Sequence, residues 1–123
     1  MTASFRYAEH SCEASNGFIA TYCELMAGLA ASQLGRDDPL ARFLKDSADH
    51  WYPGFDVSLD EVLTDASSRT AFVGLLDRAT EQFFDGREIE PVNEQRLRDE
   101  IRALRERVQR DVDVPPSSRD AIR

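Results

Sequence analysis

Residues 58–86, SLDEVLTDASSRTAFVGLLDRATEQFFDG, constrain the fold more than any other stretch of the chain. Apolar residues recur at Leu59, Val62, Leu63, Ala66, Val73, Leu76, Ala79 and Phe83, the spacing of a helix face and not of a strand. Phe72, Leu75 and Phe84 widen that face, so this helix is expected at the centre of the fold. Ser58 followed by Glu61 fits a capping box, in which the hydroxyl accepts a first-turn N–H and the carboxylate accepts the cap's own N–H. Asp85-Gly86 supplies a stop, because glycine takes the left-handed conformation that closes a helix. The weak point is Thr64-Asp65-Ala66-Ser67-Ser68. Short polar side chains compete there for backbone hydrogen bonds and could split the helix in two.

Three further segments read as helices. Phe18, Ile19, Tyr22, Cys23, Met26, Leu29 and Ala30 form a helical face that ends at Gly35. Upstream, Phe5, Ala8, Cys12 and Ser15 could extend that face into one long helix, kinked or broken near Gly17. Asn16-Gly17 is also a hairpin signal between short strands at 5–10 and 18–22. Strict apolar-polar alternation is absent, which favours the helix. Asp38 can cap a second helix with Pro39 at its first position, where a missing N–H costs nothing. That helix presents Leu40, Phe43, Leu44, Ala48 and Trp51 inward, and Pro53-Gly54 ends it. The last helix starts at Pro91 or Asn93 and carries a narrow seam of Leu97, Ile101, Leu104 and Val108 among Arg and Glu. The seam could join two copies of the chain as a homo-oligomer, although core packing explains it equally well. The expectation is therefore an all-α fold, a small bundle of about four helices over residues 1–113, followed by a loose tail at 114–123.

Charge narrows the class of partner. The net charge is −8; residues 1–86 hold 14 acids against 6 bases, while residues 87–123 hold 9 of each. Such a potential repels phosphate backbones, so nucleic acid is disfavoured and a basic protein surface is favoured. Acidity that merely keeps the protein soluble is the plainer alternative. No apolar run approaches the roughly 20 residues of a membrane span. The N-terminus lacks the basic-then-apolar pattern of a secretory signal, and a cytoplasmic location is expected. Cys12 and Cys23, with no CxxC spacing, read as reduced thiols.

Chemistry-bearing motifs are scarce. His10 and Glu13 are three apart and Asp46 and His50 four apart, spacings at which helices can present metal ligands. A di-metal centre of that kind needs more inward carboxylates and two complete Glu/His pairs, and the chain has only 2 histidines. No metal or cofactor is expected. Phosphate-binding, dinucleotide and hydrolase signatures are absent from the sequence, and a distant Cys/His combination does not by itself mark a nucleophile. The chain is read as a non-enzyme. A small helical-bundle enzyme or metal protein using His10, Glu13, Asp46 and His50 is the competing class.

Residues 46–60, DSADHWYPGFDVSLD, are the most informative for function. Trp51, Tyr52 and Phe55 surround a Pro-Gly turn fenced by Asp46, Asp49, Asp56 and Asp60. Turns lie at the surface, and rigid aromatics in an acidic rim are what a hot spot against a basic partner looks like. Trp51 could equally close the core. The candidate partner-binding residues are thus Asp46, Asp49, Tyr52, Phe55, Asp56 and Asp60. The turn Tyr52-Pro53-Gly54-Phe55 between a short and a longer helix, in a small acidic chain, resembles the helical bacterial immunity proteins that neutralise type VI or contact-dependent toxins. The likeness covers residues 44–85. It implies a non-catalytic protein that masks a toxin's active site, with Tyr52, Phe55 and their acidic neighbours at the interface. A secretion chaperone or adaptor belongs to the same binding class.

Overall fold

The computed structural model describes residues 2–112, and its first elements correct the all-α expectation. The N-terminal segment does not extend a helix. It forms an antiparallel hairpin of β1 (Thr2–Tyr7) and β2 (His10–Ser15), paired from Thr2 with Ser15 to Tyr7 with His10. The order continues with α1 (Asn16–Gln33), α2 (Pro39–Asp49), β3 (Asp56–Ser58), a 3-10 turn at Leu59–Glu61, α3 (Ala66–Phe84) and α4 (Pro91–Val112). β3 pairs with β1 in parallel, Phe5 opposite Val57, which makes a three-stranded mixed sheet in the order β2-β1-β3. With 66% helix and 14% strand the fold is α+β.

The physical reason lies in β1. It is the middle strand: Ala3, Phe5 and Tyr7 enter the core, while on the other face Ser4 is covered and Thr2 and Arg6 are exposed. Thr2–Tyr7 alternates polar and apolar, but a strand placed at residues 5–10 runs past the end of that alternation into the turn. The turn is Ala8-Glu9, without Gly, Asn or Asp, and Ala8 adopts φ 53°. That conformation costs an L-residue about 1–2 kcal/mol. Asp60 offsets it, for both its carboxylate oxygens accept the Ala8 N–H, at 3.0 and 3.1 Å. Asn16-Gly17 is no hairpin turn. Ser15 caps α1 there, its hydroxyl accepting the Phe18 N–H at 3.3 Å.

Residues 58–86 also divide where their polar run is weakest. Ser58 belongs to β3 and makes no side-chain cap bond. Leu59 and Leu63 are still buried, but from the 3-10 turn and the loop after it. The capping box belongs to Asp65 and Ser68: the Asp65 carboxylate accepts the Ser68 N–H at 2.8 Å, and the Ser68 hydroxyl accepts the Asp65 N–H at 3.2 Å. The Ser68 N–H holds the Asp65 carboxyl below its usual range. At the far end Gly86 takes φ 71°, as the stop signal requires. α2 starts as its sequence reads, with Asp38 accepting the Leu40 and Ala41 N–H groups at 2.9 and 3.4 Å and Pro39 first in the helix.

α1 packs on α2, α3 and the hairpin, while α4 covers α3 and β2. Most of the α4 seam is core: Ile101, Leu104 and Val108 are buried and Leu97 is partly buried against them. The tail at 114–123 lies outside the described residues. A polar knot joins the hairpin to both late helices. The buried Arg69 donates through Nε to the Tyr7 hydroxyl at 3.0 Å, and that hydroxyl donates to Asp111. Burial, and then Asp111, raise the Tyr7 pKa and keep it a donor. Arg107 lies over the Tyr7 ring and forks onto Glu9 at 2.8 and 3.1 Å, holding the Glu9 carboxyl at about 2.

Two substitutions test this packing. Leu76, fully buried in α3, should cost roughly 2–5 kcal/mol as Leu76→Ala in urea unfolding. Tyr7→Phe should cost about 1–3 kcal/mol, because it strands the Arg69 Nε–H in the interior. A loss below about 0.5 kcal/mol would mean that Arg69 finds another acceptor.

Candidate partner-binding surface

α2 ends at Asp49 with His50 as its cap, and the chain reverses at Pro53-Gly54. Gly54 takes φ 85°, where a side chain would be strained. The Phe55 N–H donates to the Tyr52 carbonyl at 3.1 Å and closes the turn. Asn16, the first residue of α1, then clamps the loop. Its side-chain oxygen accepts the Gly54 N–H at 3.0 Å and the Trp51 indole N–H at 3.3 Å. The Ser4 N–H of β1 takes the Phe55 carbonyl at 3.1 Å. Trp51 and Phe55 stack with centroids 5.1 Å apart and planes 14° apart, half-buried against the core. Tyr52 leans on Phe55 at 4.8 Å and remains 60% exposed. The sequence left Trp51 between core and surface; it is the base of the stack and Tyr52 its outer end.

The four aspartates have different surroundings. Asp60 is engaged with the Ala8 N–H. Asp56 accepts the Ser4 hydroxyl and stands 3.8 Å from Arg6. Asp49 pairs with Lys45 at 2.8 Å, one turn back on α2, and both line a separate groove between α1 and α2. The Asp46 carboxylate has no hydrogen-bond or ion-pair partner among the described residues. The structure brings Asp46, Phe55 and Asp56 together in one open groove of about 350 Å³, completed by Phe43, Ser47, His50, Ser58 and Glu61. Asp49 and Asp60 stand outside it.

Sequence reasoning missed Asn16, Phe43, Ser47 and Glu61. Phe43, Asp46, Ser47 and His50 recur at helical spacing on one face of α2, a signal that was available. Nothing local to Asn16 announces a clamp on residues 51–54.

The other candidate constellations are separated. His10 and Glu13 lie on a strand, where residues three apart point to opposite faces. His10 lines a groove against α4, whereas Asp46 and His50 line the one beside β3. Among the described residues no three His, Cys, Asp or Glu side chains are placed to share a metal ion. Cys12 and Cys23 are both buried and unpaired, and burial pushes each thiol up to about 12. A thiol so placed stays protonated at neutral pH and is a poor nucleophile.

No described helix is long and apolar enough to cross a membrane. Compared with known proteins, the chain matches no family model, and no curated protein or solved structure resembles it significantly.

Asn16→Ala tests the clamp. It removes the acceptor of two donors, each bond contributing about 0.5–1.5 kcal/mol. Emission of the single tryptophan should shift to the red and quench more readily, because Trp51 loses its anchor. Unchanged emission would mean that the stack alone holds the loop.

Proposed function

We propose that this chain is a non-catalytic protein-binding domain that neutralises a bacterial toxin by masking its active site. The observation that carries the reading is Tyr52. A large aromatic side chain, 60% exposed, stands on a loop held by Asn16, by the Trp51–Phe55 stack and by β1. An exposed aromatic on a rigid support loses little freedom on binding, which is why such residues become hot spots. The acidic groove beside it and the net charge of −8 favour a basic partner and fast encounter. Neutralisation by masking needs no nucleophile, and the buried, protonated thiols are compatible with that.

The test begins with the neighbouring reading frame, whose product should arrest bacterial growth unless this chain is co-expressed. With the captured partner, Tyr52→Ala should weaken binding by about 1 kcal/mol or more while circular dichroism stays unchanged. Association of the unaltered protein should slow steeply as salt is added, since rim charges act through steering. Full affinity in the Tyr52→Ala variant would move the interface elsewhere.

A further inference from the structure

The groove beside Tyr52 has a chemistry of its own. Its walls are Phe43, Asp46, Ser47 and His50 from α2, and Phe55, Asp56, Ser58 and Glu61 from the segment around β3. Four observations bear on what it takes. First, the carboxylates of Asp46 and Glu61 have no partner among the described residues, and Asp56 keeps one oxygen only loosely engaged, 3.8 Å from Arg6. Second, Ser47 lines the groove with a hydroxyl that makes no hydrogen bond to the described residues. The oxygen faces the open groove, where a group entering it could bond it. Third, His50 donates through Nδ1 to the Asp46 carbonyl at 3.0 Å, since a carbonyl can only accept. Fourth, two aromatic rings, Phe43 and Phe55, line the same space.

Carboxylates and a hydroxyl select a donor-rich cation, and the phenyl rings select a flat one. A guanidinium satisfies both demands: it forks onto carboxylates and stacks on aromatic faces, where an ammonium is a strongly hydrated point charge. The volume, about 350 Å³, is at the lower end of the roughly 300–1,000 Å³ of ligand pockets and suits a side chain better than a cofactor. We propose that this groove receives an arginine side chain of the partner protein, seated between Phe43 and Phe55 and bridged by Asp46 and Glu61. The proposal rests on the partner-binding reading above and names what the partner must present.

The probe is N-acetyl-arginine amide, titrated into the isotope-labelled protein and followed by amide chemical shifts. The amides of Ser47, His50, Phe55 and Ser58 should move together and saturate. The citrulline analogue, equal in shape but neutral, should bind at least about tenfold more weakly, and the lysine analogue should fall between them. Asp46→Asn with Glu61→Gln should weaken the arginine probe about fivefold or more without disturbing the rest of the spectrum, because neither carboxylate holds the fold together. Phe43→Leu keeps an apolar wall and should narrow the preference for arginine over lysine. Shifts scattered over the acidic surface, equal binding of the citrulline analogue, or undiminished binding in the double variant would each overturn the proposal. The natural partner separates the two claims. If Tyr52→Ala weakens partner binding but arginine never enters the groove, the groove assignment fails alone. If arginine enters but the partner ignores Tyr52, the groove stands and the Tyr52 interface fails.

Discussion

A strand in the middle of a sheet must find partners for its backbone N–H and C=O groups along both edges. β1 is such a strand, and much of the molecule follows from how the demand is met. β2 supplies one edge through a two-residue turn. The other edge is supplied by β3, fifty residues later, after two helices have been packed in between. The return of β3 fixes where the chain leaves α2, and therefore where the loop at 50–55 runs. Ser4 makes the connection explicit. Its N–H holds the Phe55 carbonyl, while its hydroxyl reaches Asp56. The aromatic stack is thus an outgrowth of the sheet, which is why a surface loop has so little freedom.

Signals carried by neighbouring residues were readable in the sequence, and those carried by distant ones were not. Asp38-Pro39 opens α2 and Asp85-Gly86 closes α3 because cap and stop act within a turn of themselves. The break in the 58–86 stretch was visible as a polar run, but two rival boxes fitted it. Ser58 with Glu61 matched the pattern as well as Asp65 with Ser68 does. Only the pairing of Ser58 with Arg6 across the sheet decides between them. The hairpin was hidden by its turn, which lacks Gly, Asn and Asp and whose stabiliser, Asp60, is 52 residues away, although Thr2–Tyr7 alternates polar and apolar. At the surface, the aromatics and acids of 46–60 stood out by composition. Asn16, which fixes their geometry, did not.

Charge is distributed by use. The arginines of α4 are largely committed inside the molecule: Arg105 to Asp77, Arg107 to Glu9 and Asp111, Arg98 to Glu94. Most of these pairs are solvent-exposed and contribute little each, but Arg105–Asp77 fastens α4 to α3 and Arg107–Glu9 fastens it to the hairpin. Asp46 and Glu61, which have no such partner among the described residues, stand together around the end of α2.

The placement of β1 in the middle of the sheet also sets an order of events during synthesis. Translation releases β1 and β2 first, and they can pair at once. The opposite edge of β1 stays open until residues 56–58 have emerged. Over that interval a nascent chain carries an unsealed hydrogen-bonding edge beside Phe5, the kind of template that recruits stray strands from other molecules. Synthesis of α1 and α2 fills the wait, and a ribosome that paused between them would lengthen it. The segment that ends the exposure is also the one that places Phe55. A chain able to present its aromatic surface has, by the same closure, sealed its sheet.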